Sequence, residues 1–208
     1  MRFVVLVSGN GSNLQAVLDA CAQGTLQGQV VAVLSNHADA YGLRRATDVG
    51  VAAIHVGVIP GEDRAGYDTR LATAVAIYRP DVVVLAGWMR VLTMAFLGRF
   101  PNRVVNLHPA RPGEFPGTHA IERAYDDFVA GNRSTTGVMV HLVPDEGIDN
   151  GPVLGAADVP IYPADTIDTL SIRVHAAEHE LLVSALARLC HTLTGTQTSS
   201  PREEEVLT

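Results

Sequence analysis

Lysine is missing from this 208-residue chain, because all fifteen of its basic residues are arginine. Without a lysine amine the protein cannot form a lysine Schiff base, and no Walker-type loop can place a lysine on a phosphate. Arginine is still available, and its forked guanidinium suits carboxylates and phosphates. The missing lysine therefore narrows the chemistry without excluding anionic ligands.

The sequence also has few cysteines, no net positive charge and no long apolar run. The two cysteines, Cys21 and Cys190, stand far apart and match no metal-binding or redox spacing. A net charge of −7 gives no electrostatic footprint for nucleic acid. No apolar stretch approaches the roughly 20 residues of a membrane span, and the opening MRFVVLVSGNGSN lacks the features of a cleaved leader. We expect a cytoplasmic protein that binds neither nucleic acid nor membrane.

Short β-branched runs alternate with helical patterns through about residue 107. The runs do not alternate polar with apolar residues, as expected of strands covered on both faces. The predicted strands are 2–8, 29–35, 51–56, 81–87, 103–107, 136–143 and 151–161, and the predicted helices are 12–24, 38–50, 66–80, 118–131 and 165–193. We predict one α/β domain over residues 1–194: an open, mostly parallel, Rossmann-like twisted sheet of about seven strands, the last one or two in a hairpin, with helices on both faces. Residues 195–208 are small, polar and acidic, so we expect a disordered tail.

The first strand leads into a glycine-rich turn and a helix start, VVLVSGNGSNLQAVL. Backbone N–H groups and the positive helix end can hold an anion in this arrangement. Leu14 breaks the GxGxxG dinucleotide pattern, so a small monophosphate fits better. From spacing alone, a tight turn in which Ser12 or Asn13 merely caps the helix is an equal alternative. The phosphate site is favoured because ligands of open α/β sheets bind at the carboxyl ends of strands.

Asn106, His108 and the acidic turn VPDEGIDNGP would meet if strand 103–107 and the later hairpin are neighbours in the sheet. An imidazole can shuttle a proton, and an amide N–H can stabilise an oxyanion without titrating. A carboxylate such as Asp149 can orient the imidazole and hold it charged. The three suit acyl transfer through a tetrahedral intermediate, with no nucleophile on the protein. The alternative is structural: a backbone-bonded histidine, a capping asparagine and carboxylates that stabilise a hairpin.

The pentapeptide HAAEH at 175–179 matches the HxxEH zinc-protease pattern on a predicted helix. Such a site needs a further carboxylate ligand downstream on ordered structure, and after Glu180 the only acidic residues are in the tail. We therefore expect no metal site. His175, Glu178 and His179 share a helix face, which forms a polar surface or reaches a ligand's hydroxyls or phosphate.

Five motifs, in order and spacing, resemble the folate-dependent formyltransferases from about residue 2 to residue 185. They are VVLVSGNGSNLQA, SNHADAYGL, DVVVLAGWMRVL, NLHP followed by FPGTHA, and TGVMVHLVPDEGIDNGPVL. The resemblance implies direct transfer of the formyl group of 10-formyltetrahydrofolate to the primary amine of phosphoribosylglycinamide, without a metal. It implies that Asn106 bonds the formyl oxygen as it becomes an oxyanion, that His108 assists by electrostatics and proton transfer, and that Asp149 steers His108 and the departing proton. Asp149 is chosen because it precedes NGP, and Asp145 is the alternative.

The resemblance also implies two sets of binding residues. Gly11, Ser12 and Asn13 would hold the ribose phosphate, Glu178 the ribose hydroxyls, and His175 would face the phosphate. The folate would lie between 88–92 and 144–150, with two arginines on its carboxylates. The implied folate residues are Arg64, Trp88, Met89, Arg90, Val91, Leu92, Pro144, Asp145, Glu146, Gly147, Ile148 and Asn150. Residues 110–114, ARPGE, depart from the family pattern beside the imidazole.

Other activities fit less well. Methionyl-tRNA formyltransferase would need a C-terminal domain and a basic surface, and formyltetrahydrofolate hydrolase an additional domain before the first strand, neither of which we expect. A sugar N-formyltransferase shares the trio and is the alternative within the family. A non-catalytic nucleotide-binding module is the alternative outside it. The sequence is compatible with a monomer and with a homodimer.

Overall fold

The computed structural model describes residues 1–197 and builds them from alternating strands and helices. The elements in chain order are β1 (Arg2–Val7), α1 (Ser12–Ala22), β2 (Gln29–Ser35), α2 (Tyr41–Asp48), β3 (Ala52–His55), α3 (Arg64–Ala76), β4 (Val82–Leu85), α4 (Met94–Leu97), β5 (Val104–His108), α5 (Ala120–Val129), β6 (Thr135–Leu142), β7 (Val153–Pro160) and α6 (Ile167–Gln197).

The strands form one seven-stranded sheet in the order β3-β2-β1-β4-β5-β6-β7. The first five pair in parallel, whereas β6 is antiparallel to β5 and β7 is antiparallel to β6. The predicted open, mostly parallel α/β sheet ending in a hairpin is therefore confirmed. The hairpin is also a direct neighbour of β5, since Asn106 pairs with His141 across β5 and β6.

Alternate residues of β1 point to opposite faces of the sheet, and each face has its own core. Phe3, Val5 and Val7 pack with residues of α1 and α6, while Val4 and Leu6 pack with residues of α3 and α4. Both sets are fully buried, which explains why the strand is an unbroken apolar run. Burying each such side chain stabilises the fold by about 1.5–3 kcal/mol. The two cores thus fix the sheet edge that carries the site.

The strand order reverses between β1 and β4, whose ends lie side by side. The Ser8 N–H donates to the Gly87 carbonyl at 3.0 Å, and the Ser8 hydroxyl accepts from the Met89 N–H at 2.9 Å. Such a reversal opens a crevice at the carboxyl ends of the strands. The glycine-rich turn after β1 and the end of β5 both lie at this edge, because β1, β4 and β5 are parallel.

The starts of α2, α3, α5 and α6 differ by two or three residues from the sequence predictions, and one further helix is present. The pattern does not predict α4, a four-residue helix too short to show a 3.6-residue period. α3 begins at Arg64 instead of Gly66, because the Asp63 side chain caps it by accepting from the Gly66 N–H at 2.7 Å. The Asp63 cap therefore stabilises a first turn of α3 that the apolar pattern does not predict.

The last helix also ends later than predicted. α6 runs through Gln197 and so includes the start of the stretch expected to be a disordered tail. No proline lies within α6, and the next one in the chain is Pro201. The rest of that prediction, residues 198–208, lies outside the described residues. No helix in the described part of the chain is both long and apolar enough to span a bilayer.

Candidate active site

Asn106 and His108 stand at the carboxyl end of β5, on one face of the strand because they are two positions apart. Val104 begins the same face inside the core next to α3 and α4. Asn106 and His108 therefore lie where the buried strand reaches the edge of the sheet. His108 is nonetheless only 3% exposed, so its ring works in a largely desolvated setting.

The carboxylate of Asp149 joins these two side chains. Its Oδ1 accepts from the Asn106 amide at 3.0 Å. Its Oδ2 lies 3.3 Å from Nδ1 of His108 and accepts from the Gly117 N–H at 2.8 Å. Asp149 has a left-handed backbone with φ of 52°, a conformation that surrounding contacts must hold. The structure thus brings together the three residues that the sequence singles out.

Asp145, the alternative carboxylate, turns back into its own loop. Its Oδ1 accepts from the Gly147 N–H at 2.8 Å, a local contact of the kind that aspartate makes in turns. Asp149 is the one of the two that contacts Asn106 and His108. Asp149 is therefore the candidate carboxylate.

A second imidazole, which the sequence analysis does not single out, completes the group. His141 lies opposite Asn106 in β6, with its Nε2 3.2 Å from the Asn106 amide nitrogen and 3.5 Å from Oδ1 of Asp149. Its Nδ1 lies 2.8 Å from the Leu142 carbonyl, which can only accept, so Nδ1 carries a proton. The sequence feature that could have indicated His141 is its position as a polar residue within the apolar strand TGVMVHLV.

The charges of the group follow from its contacts. Burial alone would raise the pKa of Asp149, but His141, the Gly117 N–H and the His108 charge together lower that pKa below its ordinary value. Asp149 is therefore ionised at neutral pH. His108 faces Asp149 with Nδ1, and its Nε2 lies 3.4 Å from the Glu114 carbonyl. Both partners can only accept hydrogen bonds, so a ring nitrogen of His108 bonds to either of them as the donor.

A cavity of about 420 Å³ opens beside the trio, within the size range of small-molecule sites. Met89, Val91 and Ile148 are exposed apolar side chains on its wall. The implied folate residues that line it are Trp88, Met89, Arg90, Val91, Leu92, Asp145, Gly147 and Ile148, whereas Arg64, Pro144, Glu146 and Asn150 lie outside the lining.

Residues around this cavity are tied to one another by polar contacts. The Arg90 guanidinium stacks on the Tyr67 ring at 4.7 Å, and Arg64 donates to the Val91 carbonyl at 3.0 Å. Glu146 accepts from the Met94 N–H at 2.9 Å and so links the acidic loop to the start of α4. Arg64 and Glu146, although outside the lining, therefore hold the segments that form it.

The glycine-rich turn begins α1 without a side-chain cap. The N-cap residue is Gly11, with φ of 75°, and within the described residues no side chain caps it. The alternative in which Ser12 or Asn13 caps the helix therefore does not describe this turn. A Cβ on Gly11 would lie 2.9 Å from Gly42 Cα, so the turn packs directly on α2. Glycine is required both for that approach and for the left-handed backbone.

Arg45 of α2 pins this turn, although sequence reasoning misses it. Its guanidinium donates to the Asn10 carbonyl and the Asn10 Oδ1, each at 2.9 Å, and to Oε1 of Gln15 at 3.1 Å. It also stacks on the Tyr41 ring at 4.8 Å. Nothing local in the sequence marks Arg45, because its partner is 35 positions away. Its charge adds to the positive field at the start of α1.

Glu178 and His175 lie next to the turn, on the side where α6 packs on α1. Glu178 is 4% exposed and accepts from His175 Nδ1 at 2.6 Å and from the Asn13 amide at 3.5 Å. The Glu178 carboxylate raises the pKa of His175, whereas burial lowers the pKa of His179. Among the described residues, no group of three or more His, Cys, Asp or Glu side chains is arranged to hold a metal ion.

Comparison with known proteins places this chain in a family. The formyl transferase family model matches residues 1–186, and the chain belongs to that family. It is 42% identical to phosphoribosylglycinamide formyltransferase of Escherichia coli (strain K12) over 87% of this chain and 83% of that one. The Schizosaccharomyces pombe phosphoribosylglycinamide formyltransferase is 41% identical, over 89% of this chain and 95% of that one. The crystal structure of glycinamide ribonucleotide transformylase 1 from Symbiobacterium toebii matches with a TM-score of 0.87 and 38% identity, over 92% of this chain and 88% of that one.

Proposed function

We propose that this protein transfers the formyl group of 10-formyltetrahydrofolate to the primary amine of phosphoribosylglycinamide, a step of purine biosynthesis. Family membership supports formyl transfer, and the names of the relatives at 42% and 41% identity support this amine. The observation that carries the proposal is the Asp149 carboxylate, which holds Asn106 and His108 together at the wall of the cavity. The activity is assigned to one domain, residues 1–194, of a cytoplasmic protein that acts on small molecules.

The reaction begins when the amine attacks the formyl carbon and turns the formyl oxygen into an oxyanion. The Asn106 amide has two N–H bonds: Asp149 takes one, and the other faces His141 Nε2 at 3.2 Å. That second N–H turns to the oxyanion. An amide donor stabilises negative charge without titrating, and one such donor is worth about 10²–10³ in rate. His108, 3.3 Å from Asp149, adds positive charge at the same place when its ring is protonated.

Collapse of the tetrahedral intermediate completes the transfer. The new carbon–nitrogen bond to the amine remains, the bond from the formyl carbon to N10 of the folate breaks, and N10 takes up a proton. The attacking amine must lose a proton, and the ionised Asp149 accepts it directly or through water. His108 beside it supplies a proton for N10. Protons and charge therefore balance without a covalent bond to the protein or a metal.

The cavity supports the folate as co-substrate. Its wall combines exposed apolar side chains, Met89, Val91 and Ile148, with the polar group formed by the trio. A flat heteroaromatic ring fits between such walls, and its formyl group would then face Asn106. Arg90 and Arg64, on the same side, are proposed to bind the folate carboxylates. The 144–150 loop would cover the ring from the other side.

The glycine-rich turn supports a substrate with a phosphate and ribose hydroxyls. The start of α1 points backbone N–H groups outward from Gly11, Ser12 and Asn13, and Arg45 fixes the turn. Within the described residues the buried Oδ1 of Asn13 has no hydrogen-bond partner, and Glu178 beside it is an ionisable acceptor. We propose that Glu178 and Asn13 bind the ribose hydroxyls, and that the turn and His175 bind the phosphate.

A spectrophotometric assay of folate turnover, with and without the amine, tests this function. We expect turnover of 10-formyltetrahydrofolate that requires phosphoribosylglycinamide. Omitting the amine is the control, because hydrolysis would proceed without it. No amine-dependent turnover would contradict the proposal, and turnover with a nucleotide-linked amino sugar instead would favour a sugar N-formyltransferase.

A further inference from the structure

We propose that Arg123 and Arg133 are positioning residues that clamp the turn of residues 114–117, the Phe115 turn, and through it hold His108 and Asp149 in place. This inference rests on the proposed function, because it assigns these arginines to the same reaction. Neither arginine lines the cavity or touches the trio directly. Each acts instead through the Phe115 turn, which begins at the last residue of the 110–114 segment where this chain departs from the family pattern.

The backbone of the Phe115 turn is held in an unfavourable conformation. Phe115 has φ of 46°, Gly117 has φ of 83°, and His119, just beyond the turn, has φ of 58°. Glycine adopts such angles readily, but a phenylalanine with a positive φ is rare, because its Cβ crowds the neighbouring carbonyl. Strained residues of this kind persist where the surrounding structure over-determines them. The turn therefore needs something that holds it.

Arg123 holds the turn from the side of α5. Its Nη2 donates to the Phe115 carbonyl at 2.5 Å and to the Pro116 carbonyl at 2.8 Å. Its guanidinium carbon lies 5.4 Å from the centre of the Phe115 ring. One side chain thus contacts both the backbone and the ring of the strained residue.

Arg133 holds the same turn from the segment that leads into β6. Its guanidinium lies 4.4 Å from the Phe115 ring centre, and its Nη1 contacts Oε2 of Glu114 at 3.1 Å and donates to the Thr135 carbonyl at 3.2 Å. The Arg133 side chain is only 17% exposed, so salt screens this pair less than an exposed one. The turn is therefore fixed to α5 and to the start of β6 at once.

The turn delivers one backbone group to each member of the acid–base pair. The Gly117 N–H donates to Asp149 Oδ2 at 2.8 Å, and the Glu114 carbonyl lies 3.4 Å from His108 Nε2. Between these two contacts His108 and Asp149 face each other at 3.3 Å. If the turn relaxes, Asp149 loses a donor and His108 loses an acceptor. Misplacement of a reacting group by about 1 Å can cost about 10²-fold in rate.

Arg111 offers a matched comparison within the same loop. It makes an ion pair with Asp158 at 2.8 Å and donates to Thr135 Oγ1 at 2.7 Å, so it too ties the loop to the hairpin. The guanidinium groups that stack on the Phe115 ring are those of Arg123 and Arg133, and Arg111 is not one of them. If the arginines acted only by tying the loop to the hairpin, Arg111→Gln and Arg133→Gln would lower the rate alike. Of these two variants, only Arg133→Gln removes a contact with the Phe115 ring.

Steady-state kinetics of Arg123→Gln, Arg133→Gln and Arg111→Gln in the full chain, at several pH values, test the inference. We expect kcat to fall about tenfold or more in the first two, with KM for both substrates within about twofold of the wild type. The acid limb of their rate profile should move to higher pH, because Asp149 loses the Gly117 N–H that favours its ionised form. His108 on β5 and His141 on β6 still face Asp149 in every variant. Arg111→Gln should match the wild type.

Equal losses in Arg111→Gln and Arg133→Gln, changes confined to KM, or an unshifted acid limb would overturn the clamp. If a glutamine variant fails to fold, as judged by its thermal unfolding, Phe115→Leu replaces it. That variant removes the ring on which both guanidinium groups stack, and it should give the same kcat loss and pH shift. A wild type without amine-dependent turnover contradicts the proposed function, whereas an active wild type with fully active clamp variants contradicts only this inference.

Discussion

The parallel and antiparallel parts of the sheet contribute to the site by different means. After β1, in the parallel part, the chain offers backbone N–H groups, and glycine is needed at Gly11 for close packing on Gly42. Where the antiparallel hairpin joins the parallel strands, the end of β5, β6 and the loop before β7 offer side chains that can move protons, joined by Asp149. Anion binding by backbone needs one continuous segment, whereas the proton chemistry needs several segments to meet. We therefore call the glycine-rich turn after β1 the binding half of the site, and the group of side chains joined by Asp149 the chemical half.

The largest effect should come from the chemical half. Asp149→Asn removes the charge that holds His108 and accepts the amine proton, so we expect turnover to fall about 10²-fold or more. Asp145→Asn is the matched control, because that carboxylate accepts from the Gly147 N–H of its own loop, and it should keep kcat at saturating folate within about twofold of the wild type. Rate measurements on the two purified variants check this. A loss in Asp145→Asn with a normal Asp149→Asn would reassign the carboxylate.

A smaller effect of another kind should come from the binding half. Arg45→Gln removes the guanidinium that pins Asn10 and Gln15, so the phosphate turn loosens. We expect KM for phosphoribosylglycinamide to rise about tenfold while kcat is unchanged, since each lost hydrogen bond is worth about 1 kcal/mol. Arg44→Gln makes the same charge change at the exposed neighbouring position and should leave KM unaltered. A fall in kcat with unaltered KM would break the division between the two halves.

The smallest effect concerns pH. Glu178 raises the pKa of His175, so the imidazolium persists to higher pH than an isolated histidine and loses its charge as the pH rises further. The wild-type KM for the phosphate substrate should therefore rise on the alkaline side, by about two- to fivefold because the side chain is half exposed. In His175→Gln that rise should disappear. KM measured across the alkaline range checks it, and an identical rise in both proteins would remove His175 from the phosphate site.

The binding half was also the easier half to predict. The turn from Gly9 to Asn13 lies in one segment, between an apolar run and a helix, so its position at a strand end follows from local pattern. Asn106 and His108 could be placed at a strand end in the same way. Their meeting with Asp149 depended on which strands are neighbours, and the pairing of β5 with β6 supplied that.

Several contacts had no local pattern from which to predict them. His141 is one polar residue in an apolar strand, and its partner Asn106 lies 35 positions away. Arg45 likewise contacts a turn that is distant in sequence. The left-handed backbone of Phe115 could not be predicted, because local preference opposes it and two tertiary contacts maintain it. Such features depend on packing between elements, which short-range patterns do not encode.

The most direct test of the account follows a labelled formyl carbon. With ¹³C in the formyl group of 10-formyltetrahydrofolate and phosphoribosylglycinamide as the acceptor, NMR distinguishes a new N-formyl amide from free formate. We expect the label in the amide of the product, and we expect Asp149→Asn to slow this transfer with little change in the binding of the phosphate substrate. Label that appears only as formate, at a rate independent of the amine, would contradict it.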